Sequence, residues 1–467
     1  MKKYISILII TVMAISMLLS MTGCDFLKSL NPPKINGVKL SKYQIVCDEE
    51  GLDYNIRAAE YIRDSIRERS GVKLDIVDDS ATEGEYEIVV GETSRAISNK
   101  LDAECEGLEF AIMADGGDIA LEGDYFVIAA AAFYLIETYA FNPGQDITIE
   151  DGSSICEPIV REAKNFIMLI GDGMGVYQTK LFEYMENTYD FSDGEDMFYG
   201  YMLPYQGYSR TRSFSGITDS AAGGTALACG YKTINEYIGR DKDLNDIKSL
   251  TELASELGKA GAVMSTETQT GATPAAFSAH ANDRDSSSSI RKSQNETINK
   301  YGIIIDCGYD YYSASQLRIL DTHINDTISE VAKNEKGFFL MYEEAYIDKH
   351  CHNNDIDKAF QAVIRFNQAI ARFMEFAFYN PDTFVLITAD HETGGLMPNE
   401  NGSLIYTSDD HTANDVLTFA YGYGAELING KTLENIEISK LFASLMGVEV
   451  FGDQSEDWKN LIYGEIE

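Results

Sequence analysis

Residues 165–175 read Asn-Phe-Ile-Met-Leu-Ile-Gly-Asp-Gly-Met-Gly, NFIMLIGDGMG, and their reading decides the fold. After Asn165 the apolar run is unbroken and short, too brief for a core helix and lacking the alternation of a strand with one wet face. A strand buried on both faces fits it, as in a parallel sheet covered by helices. Asp172, set between two glycines, then stands at the carboxyl end of that strand.

The flanking sequence repeats the pattern. Residues 249–259 read as a helix followed by a strand at 262–266, and 337–342 and 383–388 read as further strands. Between the last two, Ile356, Phe360, Val363, Ile364, Ile370, Phe373, Met374 and Ala377 mark one face of a long helix. Strands alternating with helices predict an α/β unit, a three-layer α/β/α arrangement around a mostly parallel sheet. In such sheets ligands bind beyond the carboxyl ends of the strands. Three tips carry chemistry: Asp172; Glu343 followed by Asp348 and His352; and Asp390-His391. Carboxylate-plus-imidazole sets suit Zn²⁺, whereas oxygen-only sets suit Mg²⁺. Taken singly, an Asp-Gly is a turn and an Asp-His a solvated loop. The chain has only 6 histidines, however, and His352, His391 and His411 all fall at or near these tips.

Residues 216–230, GITDSAAGGTALACG, place an Asp219-Ser220 pair before a run of small residues. Small residues let a helix pack closely against its neighbours, and Asp or Ser caps helix starts. The same pattern also suits a helix N-terminus approached by a bulky anion.

The first third of the chain differs. Residues 35–157 alternate shorter elements: strands at 43–47 and 86–90, a helix at 55–69, a hairpin of 108–113 with 119–121, and an Ala-rich helix at 125–139. This small α+β domain contains no histidine and no evident reactive cluster. Its segments 87–95, EIVVGETSR, and 117–123, GDIALEG, resemble the accessory domain preceding the catalytic barrel of bacterial hexosaminidases. Ahead of it, Met1-Lys2-Lys3 and the apolar run 4–21 mark residues 1–23 as a secretory signal, with a transmembrane anchor as the alternative reading. Met21-Thr22-Gly23-Cys24 resembles a bacterial lipobox, which implies cleavage before Cys24 and a lipid on its thiol. Residues 24–34, with Pro32-Pro33, read as a stiff tether. The expected location is therefore extracytoplasmic, lipid-anchored to the bacterial membrane. The other cysteines are scattered without a Cys-x-x-Cys pair and give no sign of disulfides. A net charge of −38 argues against nucleic acid as a partner, although metal ions can invert the local field for a phosphorylated small substrate.

The segments NFIMLIGDGMG (165–175), TDSAAGGTALACGYKT (218–233), ATPAAFSAH (272–280) with Arg284, YEEAYIDKHCH (342–352), TADHETGG (388–395) and His411-Thr412 resemble the alkaline phosphatase family in order and spacing, across about 164–447. The resemblance makes residues 158–467 a catalytic domain. It implies hydrolysis of phosphate monoesters by two Zn²⁺ and one Mg²⁺. It implies that Ser220 is a nucleophile forming phosphoserine, that Arg284 grips phosphate, that Asp219 orients Arg284, and that Lys349 lies near the phosphate. Asp348, His352 and His411 match the ligands of the first zinc, and Asp172, Asp390 and His391 those of the second. Asp172 also bridges to magnesium, completed by Thr273 and Glu343. A homodimer is compatible with the resemblance. Two departures bear on magnesium. Gly271 stands where relatives carry Asp or His, and Glu344 replaces a glycine and is a candidate for the missing contact. Phosphodiester or sulfate ester hydrolysis on a related scaffold is the alternative enzyme reading. A surface protein recognising glycans through residues 35–157 is the non-enzymatic one.

Overall fold

The computed structural model describes residues 28–48, 53–101, 105–185, 196–308 and 314–463. Residues 1–23 and Cys24, expected to be a signal and its lipidation site, lie outside them. Among the described residues no helix is long and apolar enough to cross a membrane. The chain divides into two units, Met1–Ile159 and Val160–Glu467.

The first unit holds β1 (Tyr43–Cys47), α1 (Asp53–Ser70), β2 (Ile76–Asp78), β3 (Tyr86–Val90), β4 (Phe110–Asp115), β5 (Asp118–Glu122), α2 (Ile128–Tyr139) and β6 (Gly152–Cys156). Its sheet runs β2-β1-β3-β5-β4-β6, parallel through β5 and antiparallel beyond it. The segment 87–95 owes its pattern to structure. Glu87 and Arg95 form a buried ion pair at 2.8 Å, and Arg95 also donates to the carbonyls of Asp79 and Ala81. Residues 31–34, the end of the segment read as a stiff tether, run along the unit. The Asn31 carbonyl accepts from Gly144 N–H, and Lys34 N–H donates to the Gln145 carbonyl. Backbone groups that pair with a neighbouring strand are no longer free to act as a spacer. Asp48, Asp78 and Asp79 gather at the ends of β1 and β2, a cluster the sequence did not flag. Asp78 and Asp79 are engaged in turns, accepting from Ser80 N–H and Ser94 N–H.

The second unit contains β7 (Asn165–Gly171), β8 (Tyr205–Arg210), α3 (Ser220–Cys229), α4 (Leu250–Glu256), β9 (Ala260–Ser265), α5 (Ala272–Ala276), α6 (Ser287–Tyr301), β10 (Ile304–Cys307), α7 (Ala314–Val331), β11 (Phe338–Glu344), α8 (Tyr346–His352), α9 (Ile356–Tyr379), β12 (Thr383–Thr388), β13 (Val416–Tyr421), β14 (Thr432–Glu434) and α10 (Asn435–Leu445). Its eight strands run β10-β9-β11-β7-β12-β13-β8-β14. The first five are mutually parallel, and β13 is antiparallel to both β12 and β8.

Both faces of this sheet are covered, as the period-2 alternation of β11 shows. Phe338 and Tyr342 meet Phe376, Phe366 and Phe373 of α9. Phe339, pointing the other way, meets Phe277 and Phe442 of α10. The buried core on that second side also takes in Phe166, Met168, Leu227, Leu250, Met341, Phe384 and Leu386. Burying a large apolar side chain is worth roughly 1.5–3 kcal/mol, so these two layers hold the sheet's central strands rigidly. The three-layer α/β/α architecture is that read from the sequence.

Candidate active site

Strand order and register assemble the site. β7 lies between β11 and β12, with Ile170 opposite both Glu343 and Thr388. The chain leaving each strand therefore delivers Asp172, Glu343 and Asp390 to one edge of the sheet. Gly173 permits the crowding there. Its φ of +69° is left-handed, and a Cβ on it would lie 2.7 Å from Thr393 Oγ1 and 2.9 Å from Asp348 Oδ1.

Two clusters form. Asp348, His352 and His411 bring one ligand atom each together, as do Asp172, Asp390 and His391. In the first, the two imidazole Nε2 atoms are 3.1 Å apart, and Asp348 Oδ1 lies 3.4 and 3.6 Å from them. In the second, His391 Nε2 is 3.3 Å from Asp390 Oδ2 and 3.5 Å from Asp172 Oδ1. Ligands about 2.0–2.1 Å from a tetrahedral zinc are separated by roughly 3.3 Å. Every one of these spacings falls close to that edge length.

The hydrogen bonds around the rings point the same way. His352 Nδ1 bonds the Asp409 carbonyl at 2.7 Å, His411 Nδ1 the Thr218 carbonyl at 2.8 Å, and His391 Nδ1 the Thr393 hydroxyl at 3.2 Å. Thr393 gives its own proton to Asp348 Oδ1 at 2.5 Å, so toward His391 it accepts. Each Nδ1 thus carries the hydrogen, and each Nε2 presents a lone pair inward. Asp172 Oδ1, Asp390 Oδ2 and Thr273 Oγ1 are buried without a hydrogen-bond partner. Burial and the Asp390 charge push Asp172 up, burial and the Asp348 charge push Asp390 up to about 6, and burial pushes Glu343 up to about 8. Burial also drives His391 well below its ordinary value. Such a donor set, short of positive charge, fits divalent cations.

Ser220 opens α3, with its Oγ 3.2 Å from His391 Nε2. Asp219 caps that helix by accepting from Ala222 N–H at 2.9 Å, and its other oxygen accepts from Arg284 at 3.1 Å. The cap residue thereby also places the guanidinium beside Ser220. The small residues after Ser220 serve packing between parts of the protein. A Cβ on Gly223 would lie 2.9 Å from the Asp390 carbonyl, and one on Gly224 would lie 3.3 Å from Thr273 Cα. The close-packing reading of that stretch is therefore the one its geometry supports, and the packing itself draws Ser220 toward both ligand segments.

Two expectations change. Lys349 does not reach into the cluster toward a phosphate, because its ammonium is bound to Glu267. Glu344 does not face the Asp172–Thr273–Glu343 group. It is buried in an ion pair with Arg365 at 2.8 Å and accepts from Tyr346 N–H. Sequence reading missed Thr393, which links the two clusters, and Glu392, which binds Gln178 and the N–H groups of Gly395 and Leu396. Both stand directly after His391, and that adjacency was the available signal. His280 bonds the Gly239 carbonyl and Glu252, away from the clusters.

Comparison with known proteins agrees with this geometry. The alkaline phosphatase family model matches residues 163–306 and 314–406, more than half of the chain. Alkaline phosphatase 3 and alkaline phosphatase 4 of Bacillus subtilis (strain 168) are 30% and 31% identical over 52% of this chain. The chain spans 63% and 64% of the length of those two relatives. The solved alkaline phosphatase of the Antarctic bacterium TAB5 superposes with a TM-score of 0.54 at 25% identity, covering 62% of this chain and 99% of that one. A variant of that enzyme has been solved with Mg bound in its M3 site. On the extent of the family match, this chain belongs to the alkaline phosphatase family.

Proposed function

We propose that the second unit hydrolyses phosphate monoesters through a phosphoserine on Ser220, with Zn²⁺ held by Asp348, His352 and His411, Zn²⁺ held by Asp172, Asp390 and His391, and Mg²⁺ held by Asp172, Thr273 and Glu343. The observation that carries this reading is the position of Ser220 Oγ, 3.2 Å from His391 Nε2 at a helix N-terminus, with Arg284 fixed alongside by Asp219. Bound there, the metals would supply Lewis acidity toward the phosphoryl oxygens and a lowered pKa for the attacking oxygen. Arg284 grips two phosphoryl oxygens with its planar fork, which a lysine ammonium cannot match. The N–H groups opening α3 add partial positive charge where the transferred group gathers negative charge. Ser220 Oγ gives up its proton to solvent and bonds to phosphorus, while the P–O bond to the leaving group breaks and the departing alkoxide takes a proton from solvent to become the alcohol. Water then displaces the serine oxygen, releasing inorganic phosphate and restoring Ser220.

The test sets an aryl phosphate monoester against the matching diester and sulfate, with wild type and Ser220→Ala. Monoester turnover should dominate and should fall on the order of 10³-fold or more in the variant. Equal turnover of the diester or sulfate, or an active Ser220→Ala protein, overturns the reading. The same proposal includes an extracytoplasmic location with a lipid on Cys24, supported by the sequence 21–24. Cys24→Ala should move the protein from the membrane fraction to the soluble one, and unchanged partitioning counts against lipidation.

A further inference from the structure

We propose that Glu267, anchored by Lys349, is the outer carboxylate of the third cation site, and that residue 271 is glycine to leave room for it. The inference rests on the Mg²⁺ assignment to Asp172, Thr273 and Glu343.

Gly271 is not there for conformational freedom. Its φ is −57° and its ψ 155°, values open to any residue. Space is the constraint, since a Cβ on it would sit 2.2 Å from Glu267 Cγ and 3.1 Å from the Thr268 carbonyl. Gly271 is the N-cap of α5, the helix that carries Thr273. A side chain beginning at 271 and the side chain of Glu267 therefore compete for one volume beside that threonine.

Glu267 is also wired to the other members of the group. It follows the end of β9, and its N–H donates to Ser265 Oγ at 2.8 Å. Ser265 Oγ in turn donates to Glu343. The Glu267 carboxylate accepts from Thr268 N–H at 2.7 Å through one oxygen and from Lys349 through the other. Burial pushes it up, but the Lys349 ammonium and the Thr268 N–H hold it below the ordinary carboxylate range. Glu267, half-buried, is thus joined to Glu343 through its backbone N–H and the Ser265 hydroxyl. The Lys349 side chain is pinned in addition over the Tyr346 ring, 4.3 Å from its centroid. Lys349 follows Asp348 directly, so the pair also ties the third site to the outer zinc cluster. Glu344, the sequence candidate for this place, is committed to Arg365.

The experiment titrates zinc-loaded, magnesium-free protein with Mg²⁺ by calorimetry. Glu267→Gln keeps shape and removes charge, and Mg²⁺ affinity should fall roughly 10–100-fold, the range seen for outer-shell partners. Gly271→Ala should produce a comparable loss by displacing Glu267, without changing any charge. Gly271→Asp alone should also weaken binding, whereas Glu267→Ala/Gly271→Asp should regain affinity over Glu267→Ala by refilling the same volume from the other backbone position. That rescue is not expected of a residue with a merely structural role. Unchanged Mg²⁺ affinity in Glu267→Gln, or a Gly271→Asp protein that binds more tightly than wild type, overturns the proposal. Wild-type protein that binds no Mg²⁺ overturns the third-cation assignment itself, and the proposal with it.

Discussion

The two histidine clusters use the same ligand types and nearly the same spacings, yet they face different solvents. In the cluster of Asp172, Asp390 and His391, the side chains of His391 and Asp390 are 0% exposed. In the cluster of Asp348, His352 and His411, His352 is 36% exposed. The inner carboxyls are forced up and the inner imidazole down by burial. Water reaches His352 of the outer set, whereas Asp390 and His391 of the inner set are closed to it. The inner cluster is therefore expected to couple metal to folding, and the outer cluster to exchange with the medium.

Metal removal is the largest expected effect. Chelation should abolish monoester turnover and lower Tm, and Zn²⁺ should restore both. A ligand present at 1,000 times its Kd stabilises by about 4 kcal/mol. The pH dependence identifies which cluster is responsible. In the metal-free fold burial holds Asp172 well up and Asp390 at about 6, above the roughly 4 of unfolded carboxyls. The folded state then binds more protons than the unfolded chain between those limits. The inner carboxyls therefore contribute most to metal-free stability below pH ~4, and that contribution falls as pH rises through ~6. Calorimetric scans of metal-free protein at pH 5 and pH 8 should show the lower Tm at pH 8, and the zinc-loaded protein should not show that loss. Equal metal-free values would break the assignment of the burden to the inner cluster.

Substituting one imidazole in each cluster sharpens the contrast. His391→Ala empties a fully buried ring-sized volume beside Asp390 and Asp172, and truncating a buried ring to Ala costs about 3–5 kcal/mol. It also removes the group 3.2 Å from Ser220 Oγ, so turnover should be lost at any zinc concentration. His352→Ala changes a partly exposed site, with an expected stability change within about 1 kcal/mol. Asp348 and His411 remain, and excess Zn²⁺ should recover much of the turnover. Thermal melts and zinc-dependent rates of the two variants measure the difference. Indistinguishable behaviour would mean that exposure does not separate the clusters.

What could be read from the sequence follows the same physical division. The parallel sheet was legible because β7, β11 and β12 are unbroken apolar runs, and any such run buried on both faces needs helices above and below. Their chemistry-bearing tips were legible because register in a parallel sheet sets neighbouring strand ends side by side. Side-chain direction beyond those tips was not. Nothing in the string Tyr-Glu-Glu-Ala reveals that Glu343 turns to Ser265 and Glu344 to Arg365, because the pleat sends them to opposite faces with partners 78 and 21 residues away. Likewise the family resemblance implies that Lys349 lies near the phosphate, and nothing local shows that Glu267, 82 residues upstream, holds its ammonium. The small residues after Ser220 suit close packing and an approaching anion alike, and only the fold shows that Gly223 and Gly224 make room for Asp390 and Thr273. Long-range side-chain competition, decided by packing, is what periodicity omits.

The smallest expected effect tests the bond between the clusters. Thr393 Oγ1 donates to Asp348 of the outer set and accepts from His391 Nδ1 of the inner one. One hydroxyl thereby orients a carboxylate and fixes an imidazole tautomer. Thr393→Val keeps the shape while removing both bonds. His391 loses the acceptor that keeps hydrogen on Nδ1, so its Nε2 lone pair is less well directed. Asp348 loses a donor and gains freedom to rotate. Affinity should fall roughly 10–100-fold at each site, read as two weakened steps in a zinc titration. Burial predicts unequal routes to that loss. At the outer site, water can replace the hydroxyl as donor to Asp348, so the fall there should lie at the low end. At the inner site no water reaches His391, and the buried Nδ1–H is left without an acceptor, so the fall should be greater and accompanied by a lower Tm. A titration in which the outer step weakens and the inner one does not would invert the comparison, making exposure, not burial, the condition under which Thr393 matters.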